Sequence, residues 1–187
     1  MKRLWVVRHP PVDAAGRCYG RADVKTSWAP ARSAEAVVPQ LPGDLALVRS
    51  SPSSRARDAA EAIARHLGVP LAVDERVAEL SHGDWEGRTW NEIVKADREA
   101  MDAWGRDWEL QGPPGGESAR ELEARVCAAW DDDAASDGDV LWVTHAGVIR
   151  ALWRVEQRLS WPEAMSLDVA PLAVHGVCRG RRAEPKP

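Results

Sequence analysis

Two histidines and two arginines stand at points where the chain leaves a short apolar run. Arg8 and His9 follow Leu4–Val7, His145 follows Val140–Thr144, and Arg55 opens the helical pattern after Leu45–Val48. Two guanidinium groups can clamp a phosphate through forked hydrogen bonds. A neutral imidazole beside them can attack phosphorus, and the flanking arginine charges lower its pKa toward that neutral form. Departure of an alkoxide needs a proton, so the same chemistry calls for a carboxylic acid. The four residues together suggest phosphoryl transfer; any one of them alone would more often be structural or solvated.

The elements that must position these side chains are strands alternating with helices. Leu4–Val7, Leu45–Val48 and Val140–Thr144 are continuous β-rich runs, as expected of strands covered on both faces. Pro171–Cys178 is a weaker fourth candidate. Residues 55–67 place Ala56, Ala59, Ala60, Ile63 and Leu67 on one helical face, and Gly68 stops that helix. Thr89 with Glu92, and Ser118 with Glu121, have capping-box spacing. The second box opens a helix with the apolar face Leu122, Val126, Ala129 and Trp130, and Gly147–Leu159 forms another directly after the third strand. This alternation predicts an α/β domain with a mainly parallel sheet. In such sheets ligands bind outside the carboxyl ends of the strands, which is where both histidines and both arginines fall.

Composition narrows the function classes. The 187 residues fit one domain with a single core, over 1–187, ending in a flexible tail from about residue 180. The net charge of -4 argues against a nucleic-acid partner. The Arg179–Arg182 cluster reads as a solvated terminus, and Asp131–Asp133 as a solvated helix end. Three cysteines without a C-x-x-C motif suggest neither a disulfide framework nor a zinc site. The apolar run near Met1 is too short for a signal peptide, and no stretch approaches a membrane span. A cytoplasmic protein without a membrane partner is expected. Phe is absent while Trp occurs ten times, so indole rings must supply the aromatic volume.

The motifs are also recognisable together. Val6-Val-Arg-His9 resembles the Arg-His-Gly signature of the histidine phosphatase, or phosphoglycerate-mutase-like, superfamily. Ser50–Ala56 is similar to its second block, Ala78–Gly87 to its third, Pro114–Ser118 to a frequent loop, and Val143–Arg150 to its final block. The blocks occur in family order from residue 4 to about 150. The resemblance implies a three-layer α/β/α sandwich with a mainly parallel central sheet, phosphoglycerate-mutase-like in fold. It implies His9 as the phosphorylated nucleophile, with Arg8, Arg55 and His145 holding the phosphoryl oxygens. Glu79 would donate the proton and then assist water. No metal and no cofactor are implied, and the expected partner is a small-molecule phosphate ester. Nothing in the sequence indicates an oligomeric state.

Pro10 stands where the family usually has Gly, and Pro11 follows. Proline removes an N–H and favours an extended backbone at His9, so the first loop must meet substrate differently. His82 and Glu86 compete with Glu79 for the acid role and rank below it; Glu86 is expected to tie down its own loop. Gly16–Asp23 resembles the alpha-ribazole phosphatase-like subgroup, which makes Tyr19 and Arg21, with His82, candidate contacts to the rest of the substrate. A phosphomonoesterase is the leading expectation, with alpha-ribazole 5'-phosphate as candidate substrate. A phosphoglycerate mutase, a phosphohistidine-protein phosphatase and a non-catalytic phosphate-binding module are the alternatives.

Overall fold

Five strands form the sheet in the order β3-β2-β4-β1-β5. They are β1 (Leu4–Arg8), β2 (Leu45–Ser50), β3 (Leu71–Val73), β4 (Asp139–Thr144) and β5 (Val174–Val177). All neighbouring pairs are parallel except β1 with β5. The computed structural model describes residues 3–14, 16–135 and 137–178. The helices are α1 (Pro30–Val37), α2 (Ser54–Leu67), α3 (Trp90–Ala96), α4 (Arg98–Asp107), α5 (Ala119–Ala135), α6 (Ala146–Gln157) and α7 (Trp161–Ser166).

The continuous apolar runs are explained by coverage of both faces. Leu4, Val6, Val140 and Trp142 point to one side and pack with Val126 of α5 and Ile149 and Leu152 of α6. Val7, Val48, Leu141 and Val143 point to the other and pack with Val37 of α1 and Ala56, Ala60 and Ile63 of α2. A third cluster joins Cys18, Trp85 and Ile93, with Met101 and Trp104 of α4 against it. The helix expected over 55–67 begins one residue earlier and ends at Gly68, which adopts φ 69° and donates to the Ala64 carbonyl. Both capping boxes form: Thr89 and Glu92 bond reciprocally, as do Ser118 and Glu121.

Three expectations need correction. β3 has no counterpart among the expected strands, because Leu71–Val73 is too short to show a period. The fourth strand candidate contracts to Val174–Val177 and runs antiparallel to β1. Asp131–Asp133 is a solvated end only in part: Asp131 and Asp132 are exposed, but Asp133 is not. Asp133 is 6% exposed, accepts from Nε and Nη2 of Arg49 at 2.8 and 2.5 Å, and takes the Trp142 indole N–H at 2.6 Å. Arg49 and Trp142 are register partners on β2 and β4, so one carboxylate spans both strands. Asp133 continues the spacing of Leu122, Val126, Ala129 and Trp130, which places it on the buried stripe of α5. The Arg179–Arg182 cluster and the tail from residue 180 lie outside the described residues.

Candidate active site

The carboxyl ends of β1, β2 and β4 converge because these strands are parallel neighbours in adjacent register. Arg8 is the last residue of β1, and the backbone N–H of His9 still donates to the Thr144 carbonyl at 2.9 Å. That bond continues the β1–β4 ladder by one step, which brings His9 beside His145. Their ring centroids lie 5.1 Å apart. Both rings are buried.

His9 Nδ1 lies 2.7 Å from the Pro10 carbonyl. A carbonyl only accepts, so Nδ1 carries the proton and Nε2 keeps its lone pair. Proline supplies that carbonyl as well as glycine would, while its ring fixes the local backbone and removes an N–H. Burial, with the charges of Arg55 and Arg8, lowers the His9 pKa to about 3 against the raising effect of the Pro10 bond. His145 is also held well below the ordinary imidazole value, first by burial and then by His9 and Arg55. The unfolded chain binds protons at these histidines below about pH 6.5 while the folded protein does not, so they make stability fall as pH drops from there toward about 3. The His9 imidazole should therefore still show nitrogen chemical shifts of the neutral Nδ1–H tautomer at pH 5. Imidazolium shifts at that pH would contradict the burial argument.

Arg55 is 0% exposed. Its guanidinium donates to the carbonyls of Ala22 and Gly20 at 2.8 and 2.6 Å and reaches His145 Nδ1 at 3.4 Å. A guanidinium cannot accept, so His145 carries its proton on Nε2, facing Ser51 Oγ at 2.7 Å and Ser53 Oγ at 3.2 Å. Arg8 donates to the Val169 carbonyl at 2.9 Å. The Nε atoms of both arginines are buried without a protein partner. An unpaired buried donor is costly, and an anion accepting from it would remove that cost.

Glu79 stands at the junction of two cavities. One, of about 350 Å³, is lined by His145, Ser51, Ser53 and Arg21. The other, of about 480 Å³, is lined by Tyr19, His82, Arg150 and several tryptophans. The Glu79 carboxylate accepts from the N–H of Leu80 at 3.0 Å and of Gly147, in the first turn of α6, at 3.3 Å. Glu86 lines neither cavity. Burial works to raise its pKa, but four backbone N–H donors, from Gly20, Arg21, Ala22 and His82, outweigh it and the net direction is down. It clamps the first loop through Gly20, Arg21 and Ala22, and its own loop, where the tie was expected, only through His82. Tyr19 also packs its ring against Arg55, whose Cζ lies 5.4 Å from the centroid.

Some residues at this site escaped the sequence reading. Ser51 and Ser53 lie within the second motif block, yet nothing there distinguished them from spacer residues. Arg125 of α5 donates to the carbonyls of Arg76, Ala78 and Glu79 and pairs with Glu117 at 2.6 Å, thereby holding the segment that carries Glu79. Its only sequence signal is a charge beside the apolar stripe of α5.

Comparison with known proteins identifies a family and its relatives. The family model described as histidine phosphatase superfamily (branch 1) matches residues 4–183. A bifunctional protein of Mycobacterium tuberculosis is 36% identical over 115 residues, 60% of this chain; the chain covers only 31% of that protein's length. The adenosylcobalamin/alpha-ribazole phosphatase of Salmonella typhimurium is 31% identical over 169 residues, 87% of this chain and 82% of the relative. The native structure of a mycobacterial glucosyl-3-phosphoglycerate phosphatase superposes with a TM-score of 0.77 at 28% identity, over 94% of this chain and 89% of that one.

Proposed function

The chain belongs to the histidine phosphatase superfamily, and on that premise we propose that it is a phosphoric monoester hydrolase working through phosphohistidine on His9. The observation that carries this reading is the His9 ring, buried and neutral, with Nδ1 tied to Pro10 and Nε2 left as the nucleophile. Nε2 attacks phosphorus as the bond from phosphorus to the alcohol oxygen breaks. Arg8, Arg55 and His145 bind the phosphoryl oxygens and compensate their charge. Glu79 gives its proton to the departing oxygen, then takes one from the water that attacks phosphohistidine. Free phosphate leaves and His9 is regenerated.

Likeness to the Salmonella enzyme supports alpha-ribazole 5'-phosphate as the substrate; the cytoplasm is proposed as the place of action. Among the described residues no helix is long and apolar enough to cross a membrane. The purified protein should release phosphate from phosphate monoesters into water, with no acceptor acid added and after treatment with a chelator. Activity lost on chelation and restored by one divalent ion would refute the mechanism. Quantitative transfer between phosphoglycerates, with little free phosphate, would replace hydrolase by mutase.

Gly147 offers a separate check on Glu79. A methyl group there would stand 2.3 Å from Glu79 Oε1, so Gly147→Ala must displace the carboxylate. Alanine suits a helix better than glycine, and Tm should stay within about 3 °C of wild type. Hydrolysis of an alkyl phosphate should nevertheless slow by about 100-fold, the lower range of positioned acid catalysis. A variant with normal turnover would mean that the Glu79 position seen here is not the productive one.

A further inference from the structure

The cavity beyond Glu79 has a wall chemistry unlike that of the phosphate side. Trp104 of α4, Trp108 just after it and Trp161 of α7 line it, with Leu80 and Met165. These rings are held in place. Trp108 and Trp161 meet edge to face at 5.7 Å, Trp104 meets the buried Trp85 at 5.5 Å, and Arg154 lies over Trp161 at 5.3 Å. The chain thus gathers three of its ten tryptophans at one cavity. The polar side chains around it are Tyr19, Glu79, His82 and Arg150. Arg150 already gives two donors to the Leu167 carbonyl, at 3.2 and 3.0 Å.

We propose that this cavity is the subsite for the alcohol part of the substrate and selects a flat, uncharged aromatic group of about bicyclic size. The proposal rests on the phosphatase reading in one respect: Glu79 protonates the ester oxygen, so the alcohol leaves on the side of Glu79 away from His145. Glu79 borders both cavities, so a group held by this carboxylate has the phosphate side and the tryptophan-lined side next to it. A ring entering the tryptophan-lined space exchanges water contact for aromatic faces and edges. A carboxylate would lose its hydration against the tryptophan wall with little in return. Tryptophan is a rigid wall with two rotatable side-chain bonds, so little conformational freedom is lost on binding.

The test uses primary alkyl phosphates whose departing oxygens are of similar basicity: ethyl phosphate, glycerol 1-phosphate and 2-(1-naphthyl)ethyl phosphate. The naphthyl ester should exceed both others in kcat/KM by about 100-fold, as expected for burying a bicyclic ring. Trp104→Ala and Trp161→Ala should each cut the naphthyl-to-ethyl ratio by about tenfold, the size typical of a lost stacking surface. Met165 is 46% exposed, so Met165→Glu tests the same ratio without disturbing the core and should lower it. Glycerol 1-phosphate matching the naphthyl ester, or ratios unchanged in all three variants, would overturn the subsite. Absence of turnover with every ester would instead overturn the phosphatase reading. Calorimetric titration of His9→Ala with the naphthyl and ethyl esters then decides the subsite independently: tighter naphthyl binding, weakened by Met165→Glu, sustains it, and equal binding ends it.

Discussion

His9→Ala should lower turnover of any phosphate monoester by about 10,000-fold or more, the scale seen when a nucleophile is removed from an otherwise intact site. The fold should survive. The ring makes one hydrogen bond, to the Pro10 carbonyl, and losing it costs about 1–3 kcal/mol. A small loss of Tm with an unchanged circular dichroism spectrum is therefore expected. Rapid quenching of the wild type should trap phosphate that is labile to acid and stable to base, carried by His9. Label on another residue, His145 included, would reassign the nucleophile. The Nε2 lone pair of His9 is free, whereas the His145 Nε2 proton faces Ser51, and this difference makes the assignment specific.

The second large effect is a dependence on the leaving group. An alkyl alkoxide is strongly basic and needs a proton to depart; nitrophenolate hardly does. Glu79→Gln should slow the phosphorylation step for an alkyl phosphate by about 100- to 10,000-fold and have far less effect with para-nitrophenyl phosphate. Single-turnover measurement is required, because slow hydrolysis of phosphohistidine would mask the contrast. Equal losses on both substrates would remove Glu79 from the acid role and pass the question to His82. Glu86 is a weaker successor, since its two oxygens already accept four backbone N–H groups. The Gly147→Ala variant should show the same contrast in milder form, because it moves the carboxylate without removing it.

Sequence alone was sufficient for the alternating architecture and for the convergence of His9, Arg8, Arg55 and His145. Continuous apolar runs mark parallel strands, and the residues just past each run must emerge at the same sheet edge. Both capping boxes and the Gly68 stop were legible for the same reason: they depend on residues within one or two turns of each other. Three-residue β3 and antiparallel β5 were not, since their pairing is decided by a neighbour strand far along the chain. Asp133 shows the limit from the opposite side. Its position on the α5 stripe was readable, but the run of three aspartates suggested solvent, and only the register of Arg49 against Trp142 supplies the donors that make its burial tolerable. Tertiary packing also decided which atom of each histidine holds the proton, through Pro10 and Arg55. It placed Arg125 under the Glu79 segment, and it assembled Trp104, Trp108 and Trp161 from separate elements into one wall. Local periodicity encodes elements and their faces, whereas contacts between distant faces depend on how those elements pack.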